Sequence, residues 1–220
     1  MGRLPQDSDR NAVQVFTPNI RGSSSLPSTN IYMKCDIPKF LFIYEQEQFK
    51  TLTESAQKGL VDLLTFIEAD DKVNDARWIS YMLATVFHEV AGTWRPIAEF
   101  DKGKGRKYGQ PDPVTKEVYY GRGFVQLTWA GNYKTIGKIL GHDLYNNPDL
   151  AMQPDIAYRI MSYGMRHGTF TGASLKRYFS DTVTDPVNAR RIINGTDKAE
   201  LIAGYYDKFM NIISKSEVTV

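Results

Sequence analysis

Apolar residues recur at helical spacing over most of this chain. Leu60, Leu63, Leu64 and Ile67 share one face of a helix predicted over residues 52–69. Ile79, Met82, Leu83, Val86, Phe87 and Val90 form a second stripe over 75–91, with Asp75 as N-cap and Gly92 as stop. Pro96 keeps that helix from continuing. Residues 101–120 break the pattern with Gly103, Gly105, Gly109, Pro111 and Pro113. There Pro111-Asp112-Pro113 reads as the tip of a small hairpin running into Glu117-Val118-Tyr119-Tyr120. Helical patterns resume over 130–140, ended by Gly141, then over 154–166, 174–179 and 186–193. Thr196-Asp197 caps a last helix over 198–213. The first thirty residues read as irregular, with one short strand at Val13-Gln14-Val15-Phe16 and a turn-rich stretch over 22–28. Phe40-Leu41-Phe42-Ile43-Tyr44 is a short apolar run of either type. The expected organisation is an N-terminal extension, 1–48, and a mainly α domain with one small β element, 49–220.

Composition narrows the classes. At 220 residues, with 42% hydrophobic and 24% charged residues, the chain matches a soluble globular domain with a real core. A net charge of +2 argues against a dedicated nucleic-acid binder. Cys35 stands alone, so no intrachain disulfide forms and a disulfide-stapled scaffold is excluded. No apolar run reaches the ~18 residues of a membrane span. Residues 1–10 are polar and lack the apolar stretch of a signal peptide. The expectation is therefore synthesis in the cytoplasm, with release, injection or secretion needed for action elsewhere. A monomer is the default.

The chemistry concentrates in two segments. His88-Glu89 ends the second helical pattern, and Glu99 follows ten positions later. Two carboxylates flanking a sugar-shaped cleft are the minimum for cleaving a glycosidic bond. Glu89 shares a helix face with Trp78, Met82 and Thr85 or Val86, so desolvation is expected to keep it protonated as a general acid. Glu99 lies on connecting chain beyond Pro96 and is expected to stay ionised as a base. The zinc pattern His-Glu-x-x-His fails because Gly92 holds its last position. His88, His142 and His167 form no metal-ligand spacing, so neither metal nor cofactor is expected. Most Glu pairs in any protein are solvated surface groups, and the second segment raises the odds for this one. In Gly121-Arg122-Gly123-Phe124-Val125-Gln126-Leu127-Thr128, glycines allow close backbone approach to a ligand. Gln126 and Thr128 alternate with Val125 and Leu127, so an amide and a hydroxyl face one way and could fix a nucleophilic water.

In this order, His88-Glu89, the block Tyr120 to Trp129, Asn132-Tyr133 and Arg190-Arg191-Ile192-Ile193-Asn194-Gly195 resemble the signature of family 19 glycoside hydrolases. These comprise chitinases and chitinase-like phage endolysins. The resemblance covers roughly residues 75–210. It implies a lysozyme-like, two-lobed α-helical domain with a small β-hairpin beside the active-site cleft. It implies Glu89 as general acid, Glu99 as general base and Thr128 as holder of the hydrolytic water. It further implies Gln126, Asn132, Tyr133 and Asn194 as substrate-binding residues, with Tyr120 and Arg122 in the same block. Trp94, Tyr119, Tyr120 and Trp129 are candidates to stack on sugar faces, one or two of them in contact. The family inverts at the anomeric carbon, so the carboxyls should stand ~6.5–9.5 Å apart to admit a water.

Plant chitinases of this family place the second glutamate further along a longer loop. The short spacing here resembles the endolysin branch, which favours peptidoglycan glycan strands as partner. The locally basic stretch Asp101-Lys102-Gly103-Lys104-Gly105-Arg106-Lys107 fits that reading, because wall polymers carry carboxylates. Equally it fits a solvated loop. A true chitinase is the alternative. A non-catalytic wall-binding or structural component is the third reading, with the N-terminal extension either docking the domain onto a larger particle or serving as a leader.

Overall fold

The computed structural model describes residues 34–47, 49 and 51–218. The strand expected at 13–16 lies outside the described residues. Strand β1 (Lys34–Cys35) pairs antiparallel with β4 (Glu217–Val218), bringing the two ends of the described chain together. Between them run α1 (Ile37–Gln46), α2 (Glu54–Glu68), α3 (Ala76–Glu89), α4 (Ala130–Leu140), α5 (Pro154–His167), the single turn α6 (Leu175–Tyr178) and α7 (Ala199–Ser216). A second two-stranded sheet joins β2 (Ile97–Ala98) to β3 (Arg122–Gly123) in antiparallel register, Ile97 opposite Gly123. The fold is mainly helical with a small antiparallel hairpin.

Local chemistry explains several helix ends. Thr53 caps α2 by accepting from the Ala56 N–H, and Asp75 caps α3 by accepting from the Arg77 N–H. Gly141 and Gly168 close α4 and α5 in the left-handed conformation that glycine adopts without penalty. The cap expected from Thr196-Asp197 does not form. Lys198 holds the N-cap of α7 at φ +59 with no side-chain bond, and the Asp197 carbonyl is used elsewhere, by Arg190.

The run Phe40–Tyr44 is part of α1. Phe40 and Tyr44 are fully buried, so the packed body begins N-terminal to the boundary expected at residue 48. It takes in the described residues from 34 to 218. Helix α7 packs against α3 and α1, and α2 packs against α5. An aromatic cluster fills the space between α1, α3 and α7: Tyr44, Phe49, Phe87, Trp94, Tyr205 and Phe209. Among the described residues, no helix is long and apolar enough to cross a membrane.

The hairpin expected at Pro111–Tyr120 is absent. Asp112 instead turns the chain on itself: its carboxylate accepts from the Val114 and Thr115 N–H groups and from the Tyr145 hydroxyl. A side chain that satisfies local backbone donors competes with a strand ladder. The β element forms between β2 and β3, on either side of that loop.

Candidate active site

Helix α3 delivers Glu89 at its last residue. The core stripe of α3 is buried, so Met82, Thr85 and Val86 lie in the interior as the spacing predicts. The carboxylate itself is not left to apolar neighbours. Arg190, in a short 3-10 turn over Asn188–Ile192, donates from Nη1 to Glu89 Oε1 at 2.6 Å. Both side chains are largely buried, at 5% and 15% exposure. The same guanidinium donates from Nε to the Asp197 carbonyl at 3.1 Å, which fixes its direction. The partly desolvated environment expected for Glu89 from its helix face thus also holds a cation from a distant turn. His88 beside it is held below its usual range by burial, against the opposing charge of Glu89.

Glu99 follows β2 directly, and the hairpin positions it. Its N–H donates to the Gly121 carbonyl at 2.7 Å, and its Oε2 accepts from the Gly121 N–H at 3.1 Å. Oε1 accepts from the Tyr108 hydroxyl at 2.8 Å. The loop carboxylate, expected to be better solvated than Glu89, is half-buried and held by two neutral donors. Each carboxylate oxygen has two lone pairs, so capacity for a water proton remains.

The block 120–129 is a tight, strained turn. Arg122 and Leu127 exchange backbone hydrogen bonds at 3.2 and 2.9 Å, and Gln126 between them has φ +54. Gln126 Nε2 donates to the Ile97 carbonyl at 3.1 Å and to the Gly123 carbonyl at 3.3 Å, clamping the turn to β2. A Cβ at Gly121 would stand 2.7 Å from Gln126 Oε1, so a side chain there would displace the glutamine amide that clamps the turn. Gln126 and Thr128 line one cavity of about 160 Å³ with Trp129, Asn132, Phe170 and Ile193. Asn132 reaches back from α4 to donate to the Thr128 carbonyl at 2.9 Å. Asn194 is exposed and follows the cavity-lining Ile193. Its Oδ1 accepts from the Gly195 N–H at 2.8 Å.

Three residues expected to touch substrate have other work. Trp94 is fully buried, its ring packed against Tyr44, Phe87 and Phe209, so no sugar reaches it. Arg122 is 3% exposed. It donates to Asp149 at 2.8 Å and to the Val118 carbonyl at 2.9 Å, with its guanidinium carbon 3.6 Å from the Tyr120 ring centroid. Tyr133 is fully buried and donates to the Tyr120 carbonyl at 2.8 Å. Burial is the cause in each case: Arg122 and Tyr133 support Tyr120 and the block from beneath, while Tyr120 itself is half-buried. A larger cavity, about 430 Å³, opens between α2 and α5 beside Asp70, Tyr158 and Arg166; neither Glu89 nor Glu99 lines this cavity or the smaller one.

Two residues of the site carried no role in the sequence pattern. Arg190 lay within a quoted motif, but nothing in spacing pointed it at Glu89. Tyr108 lay in a glycine-rich loop with no marker at all.

A family model described as chitinase class I matches residues 55–165. The matched segment includes Glu89, Glu99 and Thr128 and stops short of Arg190 and Asn194. Chitinase 3 of Oryza sativa subsp. japonica is 34% identical over an alignment of 101 residues that covers 39% of this chain and 31% of that protein. Chitinase 11 of the same plant is 30% identical over an alignment of 153 residues that covers 57% of each chain. The chain thus spans about a third to just over half the length of these relatives. Chitinase C of Streptomyces griseus superposes with a TM-score of 0.53 at 22% identity, covering 83% of this chain and 93% of the other. That likeness shows a shared fold.

Proposed function

Because the chain belongs to family 19 of the glycoside hydrolases, the family described as chitinase class I, we propose that it hydrolyses β-1,4-glycosidic bonds by single displacement. The supporting observation is a pair of carboxylates, each fixed by its own donors: Glu89 by Arg190, Glu99 by Gly121 and Tyr108. A guanidinium only donates hydrogen bonds, so the acid's proton belongs on Glu89 Oε2, away from Arg190. Glu89 passes that proton to the glycosidic oxygen as its bond to the anomeric carbon breaks. A water attacks the opposite face of the sugar, and Glu99 takes the proton it sheds. Thr128, on the same cavity wall as Gln126, orients that water. No cofactor enters these steps.

Chitin or its oligomers are the first choice of substrate, since the related proteins are named as chitinases. This reverses the order set by the short Glu89–Glu99 spacing, which favoured peptidoglycan. Peptidoglycan stands as the second reading on one specific observation. Lys102, Lys104, Arg106 and Lys107 are all exposed in the loop that carries Tyr108 to Glu99, and no ion pair among the described residues neutralises them. Such a rim suits a carboxylate-bearing glycan. Cytoplasmic synthesis followed by delivery to a wall belongs to that second reading.

Digestion of N-acetylglucosamine oligomers and of purified peptidoglycan in parallel, with mass spectrometry of the products, separates the two. Chitin fragments alone support the first reading, and muropeptides with new reducing ends support the second. No product from either substrate rejects the glycosidase assignment.

A further inference from the structure

The mechanism above uses Tyr108 only as a donor to Glu99 and gives Trp129 no part. Of the three tryptophans, Trp94 is fully buried and Trp78 half-buried, whereas Trp129 is 48% exposed. Its backbone is strained, with φ +71, a region that bulky residues rarely adopt. Hydrogen bonds hold the strain in place: the Trp129 N–H donates to the Tyr119 carbonyl at 3.0 Å, and its carbonyl accepts from the N–H groups of Asn132 at 2.9 Å and Tyr133 at 3.2 Å. Strain kept up by surrounding bonds clusters at ligand-binding positions. Trp129 lines the same cavity as Gln126, Thr128 and Asn132.

Tyr108 meets that indole edge-on, with ring centroids 5.3 Å apart and planes at 73°. Its hydroxyl is the group that donates to Glu99 Oε1. Burial, and then the bond to Glu99, push the phenol above its ordinary value, so it stays a donor across the working range. The loop bearing Tyr108 is closed tightly on itself, since a Cβ at Gly103 would meet Gly109 Cα at 2.8 Å and the Tyr108 ring at 3.0 Å. A single tyrosine therefore bridges an exposed indole and a carboxylate assigned to the chemistry.

We propose that Trp129 is a stacking platform for one pyranose ring of the substrate, and that Tyr108 is a positioning residue coupling occupancy of this platform to the orientation of Glu99. The apolar C–H face of an acetamido sugar suits an indole, while the Tyr108 edge keeps the indole upright. The proposal rests on the reading of Glu99 as base.

Titration with the N-acetylglucosamine hexamer in the Glu89→Gln background, followed by tryptophan emission and by calorimetry, separates binding from turnover. The emission shifts to the blue as the sugar covers Trp129. Trp129→Ala loses the shift and binds about tenfold more weakly, and Trp129→Phe recovers most of the affinity. In the otherwise wild-type enzyme, Tyr108→Phe keeps the ring against Trp129 and removes the hydroxyl. It lowers kcat about tenfold with KM unchanged, whereas Tyr108→Ala lowers kcat and raises KM. Calorimetric binding without an emission shift overturns the platform, and wild-type kcat in Tyr108→Phe overturns the coupling. A protein that neither binds nor cleaves the hexamer removes the chitinase reading and this proposal together, an outcome distinct from both.

Discussion

Arg190 and Glu89 lie 101 residues apart in the chain, yet Arg190 Nη1 donates to Glu89 Oε1 at 2.6 Å in a largely buried pair. The 3-10 turn over Asn188–Ile192 is thereby tied to the end of α3. One contact thus serves both the fold and the proposed acid.

Removing the guanidinium leaves the largely buried Glu89 Oε1 without its donor, which costs about 1–3 kcal/mol where no water repairs it. Arg190→Ala is expected to lower the melting temperature and to abolish activity. Arg190→Lys keeps the charge but cannot span both Glu89 and the Asp197 carbonyl, so it should melt between wild type and Arg190→Ala. Thermal melts of the three proteins check the order. Equal melting temperatures would contradict the pair's structural role.

Gly123 is expected to be intolerant of any side chain. It sits at φ +89 in β3, and a Cβ would stand 3.0 Å from the Ala151 carbonyl oxygen. Gly123→Ala should cost about 1–3 kcal/mol. Because β3 pairs with β2, which leads into Glu99, kcat should fall as well. Gly131→Ala is the matched control: a Cβ there meets nothing within 4 Å, and alanine on α4 should be neutral or stabilise by up to about 1 kcal/mol. Denaturant unfolding of both variants measures the contrast.

Trp94→Phe distinguishes a core residue from a sugar-binding one. The buried Trp94 indole donates to the Tyr44 hydroxyl at 3.4 Å within the aromatic cluster. The smaller ring leaves a void, so stability should fall by about 1–3 kcal/mol while KM stays at the wild-type value. A rise in KM with unchanged stability would return Trp94 to the binding surface.

Asp70 gives the fold a pH dependence remote from the chemistry. Burial pushes its carboxyl up, but hydrogen bonds from the Ser162 hydroxyl, the Lys72 N–H and the Tyr158 hydroxyl, with the charge of Arg166, outweigh burial and hold it below the usual carboxylate range. A depressed folded-state value contributes stability that is fully present above the unfolded value of about 3.9, and is lost as pH falls through the folded one. Asp70→Asn should therefore melt below wild type at pH 6, with the gap closing as pH drops below about 4. A gap independent of pH would refute this.

Local signals carried much of the fold. Gly141 stops α4 where the pattern predicts, because a left-handed glycine cap is a property of one residue and its neighbours. Asp75 caps α3 for the same reason. The β element was misplaced because β2 and β3 hold two residues each and pair across a loop, too short for any periodicity to show. Trp94 was misread because an aromatic near a motif looks the same in sequence whether it faces a sugar or a core. The contacts from Arg190 to Glu89 and from Tyr108 to Glu99 are tertiary, and no spacing encodes them.

The most direct test of the two-carboxylate account is proton NMR of N-acetylglucosamine hexamer cleavage at early times, for wild type, Glu89→Gln and Glu99→Gln. A single displacement predicts products released first as the α-anomer, with each substitution lowering kcat by about 10²–10⁴. Release of the β-anomer, or undiminished cleavage by either variant, would contradict it.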